Sequence, residues 1–243
     1  MAKKQQPKSG KGKAKGGGRW KLYFLATLVL AGAFGAAFYW WDMRHWGPDE
    51  AIYPDQGVAV SESHGLVGFE TVRALGGKFA YIEASRGASG QDARFVRNLE
   101  AARSAGLQVG AVHVFDPCQS ADGQSANFAR VVPRDSNLLP PVFLLNRTAD
   151  SCDQRVSDAA VESELLILIN QVEMHVGRPV ILKPSRKYEM RYQVAGQVER
   201  DLWLMRDRFL PDYAGRPWLL WSANTSRATE ASGEPIEWAV VQP

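Results

Sequence analysis

The sequence predicts an α/β protein in which a parallel sheet is covered by helices, placed behind an N-terminal membrane-spanning helix. Three observations predict this class. Short apolar segments alternate with segments of helical periodicity across residues 57–241, as in sheets buried on both faces. A run of 20 residues, 22–41, contains no charged side chain. Residues 1–21 carry eight lysines and arginines and no acidic residue.

The composition excludes several classes of protein. The chain has 243 residues, of which 45% are hydrophobic and 23% charged, so it is neither wholly disordered nor fibrous. Beyond the basic tail, 21 basic residues (29 minus the eight of the tail) face 26 acidic ones, which argues against a nucleic-acid-binding body. Two cysteines and four histidines exclude a four-cysteine zinc site. We therefore expect no metal, no cofactor and no nucleic-acid partner.

The apolar run is long enough to cross a bilayer. At about 1.5 Å per residue it spans roughly 30 Å, and aromatic side chains flank both of its ends, as in interfacial belts. The sequence divides into a basic tail (1–21), a signal anchor (22–41), a linker (42–56) and a domain (57–243), and the positive-inside rule predicts a cytoplasmic tail and an extracytoplasmic domain. Small residues within 31–37 leave a cleaved secretory signal as the alternative.

Seven short apolar segments of the body predict strands. They are residues 57–60, 78–84, 107–115, 141–145, 179–182, 218–222 and 236–241. The second is enclosed by Gly77 and Gly87, residues that commonly interrupt regular structure. In parallel sheets of this kind, functional residues lie at the C-terminal ends of the strands.

Four segments between these strands predict helices. They are residues 92–105, 120–132, 157–176 and 189–210. The third is the clearest, because its apolar residues recur every three or four positions and form one stripe. Ser157 is a suitable N-cap and Gly177 a suitable end for this helix, as Gly106 is for the first.

Four blocks of sequence resemble, in order, the motifs of one known family. Residues 57–61 (GVAVS) resemble G-[IV]-D-V-S, and residues 79–87 (FAYIEASRG) resemble F-[AV]-[YFI]-I-K-A-T-E-G. Residues 105–115 (AGLQVGAVHVF) resemble A-G-[LK]-x-V-G-[AV]-Y-H-F-F, and residues 139–146 (LPPVFLLN) resemble L-P-P-V-L-D-V-E. Together the four blocks resemble glycoside hydrolase family 25, and this resemblance implies an irregular (β/α) barrel of the TIM type and a location at the bacterial inner membrane. It also implies muramidase chemistry, the cleavage of peptidoglycan between its sugars.

The departures from these motifs concern the acidic residues of the family. The aspartate of the opening motif is Ala59 here. In the D-V-E motif, Leu144 replaces the aspartate and Asn146 replaces the glutamate expected to be the general acid. An amide supplies no titratable proton, and general acid catalysis alone contributes about 10²–10⁴-fold. We expect a catalytically impaired domain that binds peptidoglycan glycan strands.

Two alternatives remain open at this point. The first is an active peptidoglycan hydrolase in which Glu83, at the end of the second strand, and Asp116, after the third, act as relocated carboxylates. The second is an envelope scaffold that binds a protein partner.

Several polar and aromatic side chains are candidates for contact with sugar. Aromatic rings stack on sugar faces, but burial in the core explains them equally well. For the histidine, packing inside the fold is the alternative to lining a pocket. The candidates are Ser61, Tyr81, His113, Asn146, Trp221 and Trp238.

The two cysteines predict a disulfide. Cys118 follows the third strand and Cys152 lies in the loop after the fourth. Consecutive parallel strands are usually neighbours, so their exit loops leave the sheet side by side. An extracytoplasmic location would allow the bond to persist. The alternative is two unrelated, partly buried thiols.

Overall fold

A computed structural model describes Met1 and residues 19–243, and it divides the chain into two compact units, Met1–Asp42 and Met43–Pro243. Helix α1 (Arg19–His45) supplies the first unit and has no buried residue. It is the one helix among the described residues that is long and apolar enough to cross a membrane, a test that a signal sequence also passes. Most of the predicted basic tail, residues 2–18, lies outside the described residues.

The second unit alternates strands and helices as the sequence predicts. Its strands are β1 (Gln56–Val60), β2 (Gly77–Arg86), β3 (Gly90–Gln91), β4 (Gln108–Val114), β5 (Val142–Leu145), β6 (Ile181–Pro184), β7 (Trp203–Met205), β8 (Leu220–Arg227) and β9 (Ile236–Val241). Its helices are α2 (Phe69–Ala74), α3 (Phe95–Ser104), α4 (Ala121–Val131), α5 (Asp158–Val176), α6 (Arg186–Tyr192) and α7 (Val194–Gln197).

Eight of the strands form a nearly closed barrel, which confirms the predicted fold class. Their order is β6-β5-β4-β2-β1-β9-β8-β7, and an isolated parallel bridge between Leu182 and Leu202 brings the two ends of the sheet together. β9 alone among these eight runs antiparallel to its neighbours, β1 and β8. The carboxyl ends of the other seven strands therefore share one end of the barrel.

Two layers of apolar side chains hold the barrel. The larger lies between sheet and helices and includes Phe95, Leu99, Phe128, Leu165 and Leu168. The smaller fills the barrel interior with side chains from successive strands, which are Ala59, Phe79, Tyr81, Val112, Val142, Ile181, Trp203, Leu220 and Ala239. Because the interior is packed, a ligand must bind at an end of the barrel rather than within it.

Helix α5 begins after Ser157 and ends before Gly177, the two capping residues predicted from the sequence. The Ser157 hydroxyl accepts a hydrogen bond from the Ala160 amide at 3.2 Å, which satisfies one of the unpaired donors of the first turn. Gly177 ends the helix with a φ of +71°, in the left-handed region that glycine adopts without strain.

The predicted helix over residues 189–210 is wrong. α6 ends at Tyr192, the next residue, Gln193, has a left-handed φ of +49°, and one further turn, α7, follows. Trp203 and Leu204 then enter the barrel as part of β7, beside β8. Their apolar spacing suits both a helix and a buried strand, and tertiary packing decides between them.

The residues predicted as a linker contact the barrel domain. The side-chain amide of Asn224 donates to the carbonyl oxygens of Met43 and Trp46, each at 2.9 Å. The rings of Trp46 and Tyr53 pack on Trp221, with centroids 6.4 and 5.7 Å away. The boundaries of tail, anchor, linker and domain remain predictions.

Candidate functional site

The candidate site lies at the carboxyl ends of the parallel strands, here called the barrel mouth. β9 enters from this end, because it runs antiparallel, and brings the carboxylate of Glu237 opposite Ala59 of β1. Polar residues at or beside the mouth include Ser61, Glu62, Glu83, Asp92, Asp116, Asn146, Lys183 and Glu237, and both Glu62 and Asp92 lie close enough to Glu83 to raise its pKa.

The three motif positions that lack a carboxylate all lie at this mouth. Ala59 is buried in the barrel interior, and Leu144 packs against the same interior cluster. Asn146 is exposed just beyond β5. The side chains at 59 and 144 thus extend the apolar filling of the barrel toward its mouth.

An ion pair between Lys183 and Glu237 crosses the barrel interior. The side chain of Lys183 is only 3% exposed and that of Glu237 17% exposed. Glu237 Oε1 accepts hydrogen bonds from Lys183 Nζ and from the Ser222 hydroxyl. Burial lowers the pKa of Lys183, and the adjacent Glu237 carboxylate opposes that shift. This carboxylate is therefore already neutralised by a buried cation.

Trp203 completes this network. Its indole Nε1 donates to the Ser222 hydroxyl oxygen at 2.8 Å. Lys183 Nζ lies 3.8 Å from the centroid of the Trp203 ring, a cation–π contact. The ammonium group is thus enclosed by an aromatic face and a carboxylate, which leaves it no room to act on a ligand in this conformation.

Glu83, one of the two proposed surrogate carboxylates, is half-buried and paired. Its carboxylate accepts a hydrogen bond from the Arg86 guanidinium, three residues along the chain. Burial raises the pKa of Glu83, and the positive charge of Arg86 partly reverses that effect. A raised carboxyl pKa is a property of general acids.

Asp116, the other surrogate, is buried and fully engaged. Its Oδ1 accepts from the Cys118 amide at 3.0 Å, and its Oδ2 accepts from Gln119 Nε2 at 2.9 Å and Arg147 Nη1 at 2.8 Å. These bonds order the loop after β4 and leave little accepting capacity for a water or a substrate. Glu83 and Asp116 are each bonded to their own arginine rather than to each other.

A disulfide ties the two loops beside the mouth. The sulfurs of Cys118 and Cys152 are bonded, with their Cα atoms 5.4 Å apart and a sequence separation of 34. Arg147, which lies between the cysteines in sequence, donates to Asp116 on one loop and to Ser151 on the other. The disulfide and the guanidinium therefore fix the same pair of loops.

Four of the six sugar-contact candidates are buried away from the mouth. Tyr81 lies in the barrel interior, and His113 lies between the Ser85 hydroxyl, at 2.8 Å, and Gln124. Trp221 and Trp238 are at most 3% exposed. Because none of these four has surface for a glycan, we remove them from the candidate site.

The other two candidates remain at the mouth. Ser61 is half-buried, and its hydroxyl lies 2.8 Å from that of Ser63. Asn146 is exposed and follows the position at which the fourth predicted strand ends. These two side chains, with the exposed Glu62, Arg86 and Arg147, are among the polar groups that a ligand at the mouth would meet.

Sequence reasoning missed the Lys183–Glu237 pair. Two signals could have revealed it: a lysine inside the apolar segment VILKP, and a glutamate inside PIEWAVV. Burying a charged residue of an apolar strand costs free energy unless an opposite charge pairs with it. A lysine in one such strand and a glutamate in another therefore suggest a buried ion pair.

The described residues contain no group of three or more histidine, cysteine, aspartate or glutamate side chains able to hold a metal ion. A cavity of about 600 Å³ is present, but it lies at the opposite end of the barrel, beside Gly77, Lys78 and Gln108. Those residues begin β2 and β4, so this cavity is remote from the mouth and its carboxylates.

The buried histidine predicts a specific acid sensitivity. Burial lowers the pKa of His113 to about 4 from its usual 6.5. Between these two values the unfolded chain binds a proton that the folded chain does not, so stability falls as the pH drops from 6.5 to 4. The loss reaches about 3 kcal/mol and becomes constant below pH 4.

Urea unfolding of the full chain in detergent, from pH 7.5 to 4.5, measures this dependence. The comparison is between the slopes of the native chain and of His113→Gln, which lacks the titrating ring. We expect the variant to lose less stability than the native chain over this range. Identical slopes would contradict the assignment.

Comparison with known proteins supports the family suggested by the motifs. The sequence model described as Glycosyl hydrolases family 25 matches residues 58–222. Lysozyme M1 of Streptomyces globisporus is 36% identical over 107 residues, a match that covers 40% of this chain and 36% of that protein. The chain thus spans little more than a third of that relative.

Solved structures share the fold. A family 25 glycosyl hydrolase from Bacillus anthracis superposes with a TM-score of 0.73 and 26% identity, over 82% of this chain and 93% of that one. The bacterial lysozyme from Streptomyces coelicolor superposes with a TM-score of 0.70 and 21% identity, over 78% and 92%. The family 25 sequence model, which matches residues 58–222, covers every strand from β2 to β7, with most of β1 and the start of β8. This chain therefore belongs to glycoside hydrolase family 25.

Proposed function

We propose that this protein is a membrane-anchored, family 25 lysozyme-like domain that binds peptidoglycan and hydrolyses it weakly or not at all. One observation carries the proposal. The motif positions that would hold the carboxylates are Ala59, Leu144 and Asn146, and Glu83, Asp116 and Glu237 at the mouth are each paired with a cation.

The chemistry of glycosidic cleavage explains why missing or paired carboxylates weaken hydrolysis. The reaction needs a protonated acid at the leaving oxygen and negative charge near the developing oxocarbenium ion. Glu237 is bonded to Lys183, whose positive charge opposes that ion, and Asp116 is bonded to Arg147. An electrostatic environment of this kind favours binding of the uncharged or anionic parts of a glycan over transition-state stabilisation.

The apolar helix α1 supports a location of the domain on the outer side of the cytoplasmic membrane. As a signal anchor it would hold the domain on the outer side of the cytoplasmic membrane, where peptidoglycan lies, and the positive-inside rule would keep the basic tail in the cytoplasm. In that compartment the Cys118–Cys152 disulfide would remain oxidised.

One observation favours an active enzyme as the second candidate. Glu83 has a raised pKa, as a general acid would, and lies three residues before the carboxyl end of β2. Its proposed partner, Asp116, is held by Arg147 and two other donors, so this alternative needs another second carboxylate. Asp92 and Glu62 both lie close enough to Glu83 to raise its pKa, and they are the acids available for that role.

Pelleting with purified, insoluble peptidoglycan tests the binding function. The full chain in detergent is expected to sediment with the polymer, and Asn146→Ala, at the exposed mouth, is expected to weaken binding up to about tenfold through a lost hydrogen bond. The matched control is Asn170→Ala on the exposed face of α5. Absence of pelleting by the native chain would refute wall binding and favour the protein-scaffold alternative.

A further inference from the structure

The loop that joins β7 to β8 begins with an unusual surface segment, residues 206–210. Phe209 and Leu210 are 61% and 55% exposed, although both are large apolar residues. Arginines precede them at 206 and 208, and the Arg206 guanidinium lies 5.7 Å from the centroid of the Phe209 ring. Exposed apolar side chains beside arginines are typical of segments that meet a membrane surface.

The backbone of this segment is held in a strained conformation. Arg208 has a φ of +66°, in the left-handed region that a residue with a Cβ rarely adopts. Its amide donates to the Ala223 carbonyl at 2.7 Å, and Asp207 Oδ1 accepts from the Thr225 amide at 2.7 Å. These bonds to β8 fix the turn, so the exposure of Phe209 and Leu210 is a feature of the fold.

The segment contacts the residues that follow the apolar run. Arg208 Nη1 lies 3.6 Å from the Met43 sulfur, and its guanidinium lies 5.7 Å from the centroid of the Trp46 ring. Met43 is two residues beyond Trp41, the last residue of the uncharged run, so the chain between them spans at most about 7 Å. If residues 22–41 span the bilayer, Arg208 is at the level of the headgroups.

We propose that residues 206–210 dock on the surface of the bilayer that anchors the protein, with Phe209 and Leu210 entering the headgroup layer and Arg206 facing anionic phospholipid. The inference rests on the anchor within the proposed function and is independent of peptidoglycan binding. Arg206 also pairs with Asp212 at 3.1 Å, an exposed pair that leaves guanidinium donors for phosphate. Docking would fix the barrel domain on the membrane at a second point.

Spin labels on the full chain in lipid nanodiscs test this docking. Because both native cysteines are bonded to each other, a single introduced cysteine can be labelled selectively. Labels at Leu210→Cys, Val96→Cys and Ala33→Cys report on the segment, on an exposed apolar control of α3, and on the middle of the apolar run. Relative accessibility to oxygen and to a water-soluble nickel chelate gives the depth of each label.

We expect the label at 210 to lie about 5–10 Å below the headgroup surface, and deeper in discs with anionic phosphatidylglycerol than in phosphatidylcholine alone. The label at 96 should be fully aqueous. A water-exposed label at 210 beside a lipid-exposed label at 33 would overturn the docking and leave the anchor standing. An aqueous label at 33 would overturn the anchor, and the docking with it. A label at 210 that is shielded from both reagents would indicate a protein contact and would also overturn the docking.

Discussion

Replacing Lys183 with methionine is expected to lower the free energy of unfolding by about 3–5 kcal/mol, because the substitution leaves a carboxylate without its cation in the barrel interior. Glu237 would retain only the Ser222 hydroxyl as a partner on Oε1. Urea unfolding at pH 7 measures the loss. An unchanged midpoint would show that the pair is not buried as described.

A second variant separates the loss of the charge from the loss of packing. Lys183→Met with Glu237→Gln removes both charges, and we expect it to recover most of the stability, since paired removal of buried charges is often close to neutral. The control is Lys78→Met, whose partner Asp55 is 58% exposed. Exposed ion pairs contribute about 0–1 kcal/mol, so this control should change little. A double variant no more stable than the single one would contradict the account.

Removing the disulfide by Cys118→Ser with Cys152→Ser is expected to cost about 3–4 kcal/mol, because the cross-link restricts a 34-residue segment of the unfolded chain. Urea unfolding with and without reductant measures the effect. Reductant should destabilise the native chain and leave the double variant unchanged, which makes the variant its own control.

The state of the cysteines can be measured directly. Thiol labelling of the unreduced, denatured chain should find no reactive thiol. Two reactive thiols per chain would contradict the bond and would remove the tie between the loops after β4 and β5.

The sequence predicts the barrel because its signals are local and ordered. Apolar segments separated by helical periodicity mark most of the strands, and the motif blocks preserve the order of the family fold. β7 is the exception, because three apolar residues that follow a helical segment cannot be distinguished from a helix by spacing. The three-dimensional fold assigns Trp203 to a strand, because β7 fills the position between β6 and β8 in the barrel.

The side chains of the mouth are harder to predict than the strands that carry them. In a strand that is apolar on both faces, alternation does not show which residues face the barrel interior. His113 and Trp238 point to the outer layer, while Lys183 points inward to Glu237. The partner of Lys183 is 54 residues away in sequence, so only the closed ring of strands brings the two charges together.

Release of reducing ends from purified peptidoglycan is the measurement that tests the central claim most directly. The full chain, Glu83→Gln and Asp116→Asn are assayed beside an active family 25 lysozyme on the same substrate. We expect the release of reducing ends by all three forms of this protein to remain at background, while the active lysozyme cleaves the substrate. Release by the native chain that is abolished by Glu83→Gln or by Asp116→Asn would contradict this expectation and assign catalysis to relocated carboxylates.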